Sequence, residues 1–225
     1  MTKTSKPLIV VNFKVYREAE GTKASDIARI CASVSKESGI KIAVCPPMTE
    51  LGHIARSVDI PVFSQNADPH APGSSTGWVT PSMIKAAGAV GTLINHAEHK
   101  RTPKEMAETV ELCKGCDLMT IICADTAKAA AHIAQYHPDM IAVEPPELIG
   151  GDISVTDADP GIVESTVRAV KDVSTRISVL CGAGVKTGKD VKKALELGAD
   201  GVLLASGVVK SKDPRASLLD LVRYL

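Results

Sequence analysis

The stretch ISVLCGAGVKTGKDVKKALELGADGVLLA, residues 177–205, decides the architecture. It opens on a short apolar run (177–182), passes through an amphipathic stretch (188–197) stopped by Gly198, and returns to a second apolar run (201–205). The hydrophobicity of the two runs is continuous rather than alternating. Both faces of each strand are then buried, the habit of parallel sheets joined by helices. The turn Gly182-Ala183-Gly184-Val185-Lys186-Thr187-Gly188-Lys189-Asp190 has the look of a nucleotide phosphate loop but fails its spacing. Ala183 stands five residues before Gly188, and Asp190 occupies the place of the magnesium-binding hydroxyl.

The same unit repeats outward along the chain. Strand-like runs fall at 8–12, 41–45, 61–65, 90–95, 117–123 and 140–144, and helix-period segments at 23–37, 49–57, 80–87, 103–114, 126–135, 159–174 and 215–224. Thr102-Pro103-Lys104-Glu105 carries a Thr cap, Pro at the first helical position and Glu at the third, while Asp159-Pro160 and Asp213-Pro214 repeat a cap-then-Pro device. Eight strand–helix pairs predict a (β/α)8 barrel of eight parallel strands with short loops, one domain over 1–225. A doubly wound open sheet competes, but it calls for a Gly-rich turn after the first strand, where this chain has Asn12-Phe13-Lys14. Dividing 225 residues among eight units leaves about 28 each, near the ~30 such a unit occupies.

Charge excludes some functions. The chain has 26 basic and 26 acidic side chains, so no global positive excess draws it to nucleic acid or an anionic membrane. A small local anion site remains compatible. Hydrophobic residues make up 44% and aromatics only 3%, so the core rests on Ile, Val, Leu and Ala. No run approaches the ~20 apolar residues of a membrane span, and the apolar run that stops at Asn12 is too short for a secretory signal. Cys45, Cys123 and Cys181 sit in or at the end of strand-like runs as small hydrophobes, and the Cys113/Cys116 pair closes a helical segment at a Gly-containing turn. These features read as reduced thiols in a cytoplasmic protein.

In such a barrel the chemistry lies where the strands end. Asn12 and Lys14 follow the first strand, Gln65 the third, Asn95 and His96 the fourth, and Glu144 the sixth. Small-residue turns follow the seventh (Gly182-Ala183-Gly184) and eighth (Ala205-Ser206-Gly207). Turns without bulky side chains let a phosphate reach backbone N–H groups, and strands seven and eight are its usual place in this fold. Glu144, at an apolar strand end beside Pro145-Pro146, is placed as a general base, or else as a structural carboxylate with a cationic partner. His96 is a candidate electrophile, or a core histidine bonded to backbone. Lys14 supplies a fixed cation with Glu98 available as its counter-ion; a Schiff-base lysine is the alternative. The segment 145–155, with prolines at one end, Gly150-Gly151 at the other and an apolar tip, is a lid candidate.

Taken together, Asn12-Phe13-Lys14, Gly73 to Trp78, Asn95-His96-Ala97-Glu98, Glu144 to Gly150, Cys181-Gly182-Ala183-Gly184-Val185 and Leu204-Ala205-Ser206-Gly207 resemble the triosephosphate isomerase family, in its short archaeal form, across essentially the whole chain. The resemblance implies a TIM barrel and reversible interconversion of D-glyceraldehyde 3-phosphate and dihydroxyacetone phosphate, in glycolysis and gluconeogenesis, without metal or organic cofactor. By the same resemblance Glu144 moves the proton between carbons, His96 polarises the carbonyl and Lys14 supplies charge; these roles are the family's own and not readings from spacing. Asn12 orients the site and Glu98 holds Lys14. The phosphate meets Ile149, Gly150, Gly184, Ala205 and Ser206. The loop 68–78, with Thr76 and the single Trp, implies a homodimer or homotetramer in which Thr76 reaches the adjacent site. Ala97 stands where the family commonly has Ser, His99 and Lys100 where it has two Arg, Gly151-Asp152 where Thr-Gly ends the lid, and Cys181 where many members have Tyr. Competing readings are another phosphate-binding barrel isomerase and an inactive barrel that only binds a phosphorylated ligand.

Overall fold

The computed structural model describes residues 6–144 and 160–225. Eight parallel strands form one sheet: β1 (Leu8–Asn12), β2 (Lys41–Cys45), β3 (Phe63–Ser64), β4 (Gly91–Ile94), β5 (Met119–Ala124), β6 (Met140–Val143), β7 (Ser178–Cys181) and β8 (Gly201–Leu204). Their order, β2-β1-β8-β7-β6-β5-β4-β3, is that of a barrel, with β1 in register against both β2 (Val10↔Ala43) and β8 (Val10↔Leu203). Between them run α1 (Thr22–Ser38), α2 (Leu51–Ala55), α3 (Pro81–Ala86), α4 (Pro103–Gly115), α5 (Ala127–Ala134), α6 (Pro160–Val173) and α7 (Gly188–Glu196), with α8 (Ser206–Val209) and α9 (Pro214–Val222) after β8. Among the described residues no helix is long and apolar enough to cross a membrane.

The seam between β2 and β3 is where the expected third strand falls short. Pro61 has no N–H to give a ladder, so only its carbonyl takes part, accepting from Val44 N–H at 3.1 Å. A single bridge, Val44↔Val62, precedes the two-residue strand. Gln65 then acts as a side-chain clasp: its Nε2 donates to the carbonyls of Lys14 (2.9 Å) and Cys45 (3.0 Å). The expected helix 49–57 is likewise trimmed to Leu51–Ala55.

Helix starts follow the sequence. Thr102 and Glu105 cap each other reciprocally with Pro103 at the first helical position, and Asp213 Oδ1 accepts Ala216 N–H at 2.9 Å. The Asp159 cap expected before α6 lies outside the described residues. Gly198 ends the seventh unit at φ 96°, a conformation glycine takes without penalty.

Strand periodicity sets the two cores. Val10, Ala43, Phe63, Leu93, Ile121, Met140, Ala142, Leu180 and Leu203 fill the barrel interior, while alternate residues such as Ile9, Val11, Ile42 and Val202 pack outward under the helices. The barrel is therefore plugged rather than hollow. Continuing the inward series past the plug brings polar Asn12 and Glu144 to the C-terminal rim, both almost fully buried.

Candidate active site

Asn12, Lys14, His96, Glu144, Gly184, Ala205 and Ser206 line one cavity at that rim. Two left-handed residues aim its polar groups. Lys14 has φ 49°, held by its own N–H donating to Asn12 Oδ1 at 2.9 Å. The turn lets Phe13 sink into the core while Lys14 reaches the cavity. Asn95 has φ 61° and clamps its surroundings from both ends of its amide: Nδ2 donates to Cys123 O (2.9 Å), and Oδ1 accepts Arg101 N–H (2.9 Å). Asn tolerates this region better than most residues, and His96 follows directly.

Lys14 Nζ lies 2.8 Å from Glu98 Oε1, so the counter-ion expected for it is in place. The adjacent Lys100 pairs with Asp125. Glu98 also orients the imidazole: its backbone N–H donates to His96 Nδ1 at 3.1 Å. With Nδ1 acting as acceptor, the proton of the neutral ring belongs on Nε2, which faces Glu144 Oε1 at 3.4 Å. Burial lowers the His96 pKa to about 4, helped by the charges of Lys14 and Lys100 against the opposing pull of Glu98. The ring is neutral at physiological pH.

Glu144 behaves oppositely. Burial pushes its pKa up to about 7, against the lowering effects of a Cys123 thiol hydrogen bond and of Lys14 and Lys100, with Glu98 adding to the rise. Its Oε2 is buried without a hydrogen-bond partner. A carboxyl group so held can take up and release a proton near neutral pH. Gly182 makes the placement possible, since a Cβ there would lie 2.6 Å from Glu144 Cγ.

Among the expected site residues, Glu98 bonds the cavity groups from outside and Thr76 lies exposed in the 68–78 loop, away from the cavity lining. Ile149, Gly150 and the whole 145–155 lid candidate lie outside the described residues. Sequence reasoning missed Tyr16 and Lys186, which also line the cavity, and took Cys123 only as core. Tyr16 and Lys186 carry no strand-end signal, and Lys186 falls within the turn whose spacing fails that of a phosphate loop.

A second groove, of about 510 Å³, adjoins the first and includes Met48, Gln65, Trp78, Val79, His99 and Arg101 in its walls. The loop beside it is fastened at its base. Asp68 N–H donates to Val79 O (2.8 Å), Val79 N–H returns a bond to Asp68 Oδ2 (2.7 Å), and Asp68 pairs with the buried Arg101 guanidinium. Trp78 stacks tilted against His70 at 4.4 Å yet stays 44% exposed.

Similarity to known proteins covers nearly the whole chain. The family described as "Triosephosphate isomerase" matches residues 7–225. The triosephosphate isomerase of Methanosarcina acetivorans is 46% identical over 97% of this chain and 99% of its own length. That of Methanocaldococcus jannaschii is 46% identical over 97% of this chain and 100% of its own. That of Methanopyrus kandleri is 47% identical over 97% and 98%.

Proposed function

The chain belongs to the triosephosphate isomerase family, and from that premise we propose that Glu144, His96 and Lys14 carry its reaction. The enzyme interconverts D-glyceraldehyde 3-phosphate and dihydroxyacetone phosphate, a step of glycolysis and, in reverse, of gluconeogenesis. Glu144 removes the C2 proton of the aldehyde, and the C–H electron pair becomes the C1=C2 bond. The former carbonyl oxygen takes up negative charge and accepts from His96 Nε2–H. The ring exchanges protons between the two oxygens, and Glu144 returns a proton to C1 as the C2 oxygen becomes the new carbonyl. Lys14 offsets the negative charge throughout, and Asn12 fixes the turn that presents it.

The observation that carries this assignment is the tautomer. His96 receives Glu98 N–H on Nδ1 and directs Nε2 toward Glu144, giving a neutral donor beside a base. A neutral donor suits an enediolate because it can both give and regain its proton near neutral pH. The phosphate subsite is read at Gly184, Ala205 and Ser206, whose small side chains leave backbone accessible at the cavity wall. By resemblance alone, Ile149 and Gly150 join them.

The same reading makes the chain one (β/α)8 domain over 1–225, acting in the cytoplasm as a homodimer or homotetramer. Support for assembly comes from the fastened 68–79 loop, its exposed Trp78 and an 83% exposed Val15, both of which border the second groove. Light scattering that finds only monomer at micromolar concentration overturns the oligomer. The functional assignment is tested by a coupled assay on glyceraldehyde 3-phosphate beside Glu144→Gln. Rapid turnover in the parent and a loss of about 10²–10⁴-fold in the variant are expected. Equal activities remove Glu144 as the base, and no activity in either favours a binding protein.

A further inference from the structure

We infer that Lys186 is a specificity-determining residue of the phosphate subsite, a second cation that draws in and holds the substrate's phosphate dianion. The inference rests on the reading that the cavity takes a phosphorylated triose. Among the described residues, those lining that cavity and carrying charge once His96 is neutral are Lys14, Glu144 and Lys186. Lys14 sits against the Glu98 carboxylate and beside the reacting groups. Lys186 stands elsewhere, two residues past Gly184 in the loop between β7 and α7.

Its backbone is fixed there. Lys186 N–H donates to Asp190 Oδ2 at 3.0 Å, and the β8 turn packs closely against it: a Cβ on Gly207 would lie 3.7 Å from Lys186 Cα and 3.8 Å from Val185 O. Lys186 is thus carried next to Ser206 and Gly207, across the turns where small residues leave backbone open.

The end of α7 does not serve the anion instead. Its first N–H groups are already engaged by carboxylates: Thr187 N–H donates to Asp190 Oδ2 (2.8 Å) and Gly188 N–H to Asp220 Oδ2 (2.9 Å). The Asp190 carboxylate, bonded to the Lys186 backbone, would repel a dianion nearby, and Lys186 is the cation placed to counter it. In a chain of zero formal charge, this is how the entrance acquires a local positive field.

On this reading Lys186 meets the phosphate and not the reacting carbons, so its contribution differs from that of Lys14. It binds ground state and transition state alike through the phosphate, which places its effect on KM and not on kcat. Lys186 is exposed, and a thermal melt of each variant checks that the fold survives its replacement.

The experiment compares parent, Lys186→Ala, Lys186→Glu and Lys186→Arg. It measures kcat and KM on glyceraldehyde 3-phosphate, competitive inhibition by inorganic phosphate, and turnover of glyceraldehyde, the same triose without the phosphate. Lys186→Ala is expected to raise KM and the phosphate inhibition constant about three- to tenfold, with kcat within twofold. Lys186→Glu should exceed it, Lys186→Arg should restore the parent, and the gap should close at about 0.5 M salt. Glyceraldehyde turnover should not change. An unchanged KM and phosphate constant, or an equal loss on glyceraldehyde, overturns the inference. A parent that neither turns over the phosphorylated triose nor is inhibited by phosphate overturns the underlying reading as well.

Discussion

Replacing Gly182 with alanine tests how tightly the base is placed. The added Cβ would lie 2.6 Å from Glu144 Cγ and 3.0 Å from the Val143 carbonyl, with Ala142 Cβ at 3.4 Å. Ordinary carbon contacts begin near 3.4 Å, so Glu144 Cγ must retreat by about 0.8 Å. The carboxyl arm has little room for that, since Glu144 is 2% exposed and its oxygen already lies 3.4 Å from His96 Nε2. A displacement near 1 Å in a reacting group costs about 10²-fold in rate. Overpacking adds a stability cost of about 1–3 kcal/mol, each kcal/mol lowering Tm by roughly 2–4 °C in a chain of this size. The assay is kcat and KM by coupled turnover, with a thermal melt to confirm folding. We expect kcat to fall about a hundredfold while KM moves little. A folded Gly182→Ala enzyme with kcat within threefold of the parent would refute the claim that this glycine sets the base.

Three further outcomes follow from the electrostatics. Because the Glu144 pKa is raised to about 7 by burial, kcat/KM should fall with unit slope below pH 7. His96, lowered to about 4, should add no inflection between pH 5 and 9; a flat profile from pH 5 to 8 contradicts the Glu144 assignment, and a second enzymic inflection in that range contradicts that of His96. A raised carboxylate pKa also penalises folding once the unfolded chain ionises above about pH 4.5, with the full penalty present above about pH 7. Glu144→Gln should therefore be more stable than the parent at pH 8, by an amount on the order of 3 kcal/mol, and equal to it at pH 4; urea unfolding at the two pH values reads the difference. Asp68→Ala should cost about 1–3 kcal/mol because it removes the carboxylate paired with the buried Arg101 guanidinium and leaves that group Asn66 Oδ1 at 3.1 Å and Glu105 Oε1 at 4.0 Å; an unchanged urea-derived stability contradicts that.

Much of the barrel was legible because its strands are apolar runs and its helices carry their own caps. Thr102 with Glu105 and Asp213 act as their sequence indicates. The third strand was overread, since Pro61 interrupts the ladder and Gln65 completes the seam with side-chain bonds that no periodicity announces. Asn12, Lys14, His96 and Glu144 stood out as polar groups at apolar strand ends, and the strand's period of two carries Asn12 and Glu144 to one rim. What decides their chemistry was hidden. The left-handed turns at Lys14 and Asn95, the Glu98 N–H on His96 Nδ1 and the Gly182 hollow beside Glu144 all arise from contacts distant in sequence. Lys186 was invisible as a site residue because an exposed loop lysine looks like any other until Gly207 is packed beneath it.

The central claim is that Glu144 moves a proton through an enediolate. Turnover of glyceraldehyde 3-phosphate in deuterium oxide tests it most directly, with the dihydroxyacetone phosphate examined for label by NMR. The expected product carries up to one deuterium at C1 per molecule, in a single stereochemical position, and no label above background with Glu144→Gln. Full turnover to unlabelled product would mean that hydrogen passes directly between the carbons, and labelling by Glu144→Gln at the parental rate would assign the proton to another group.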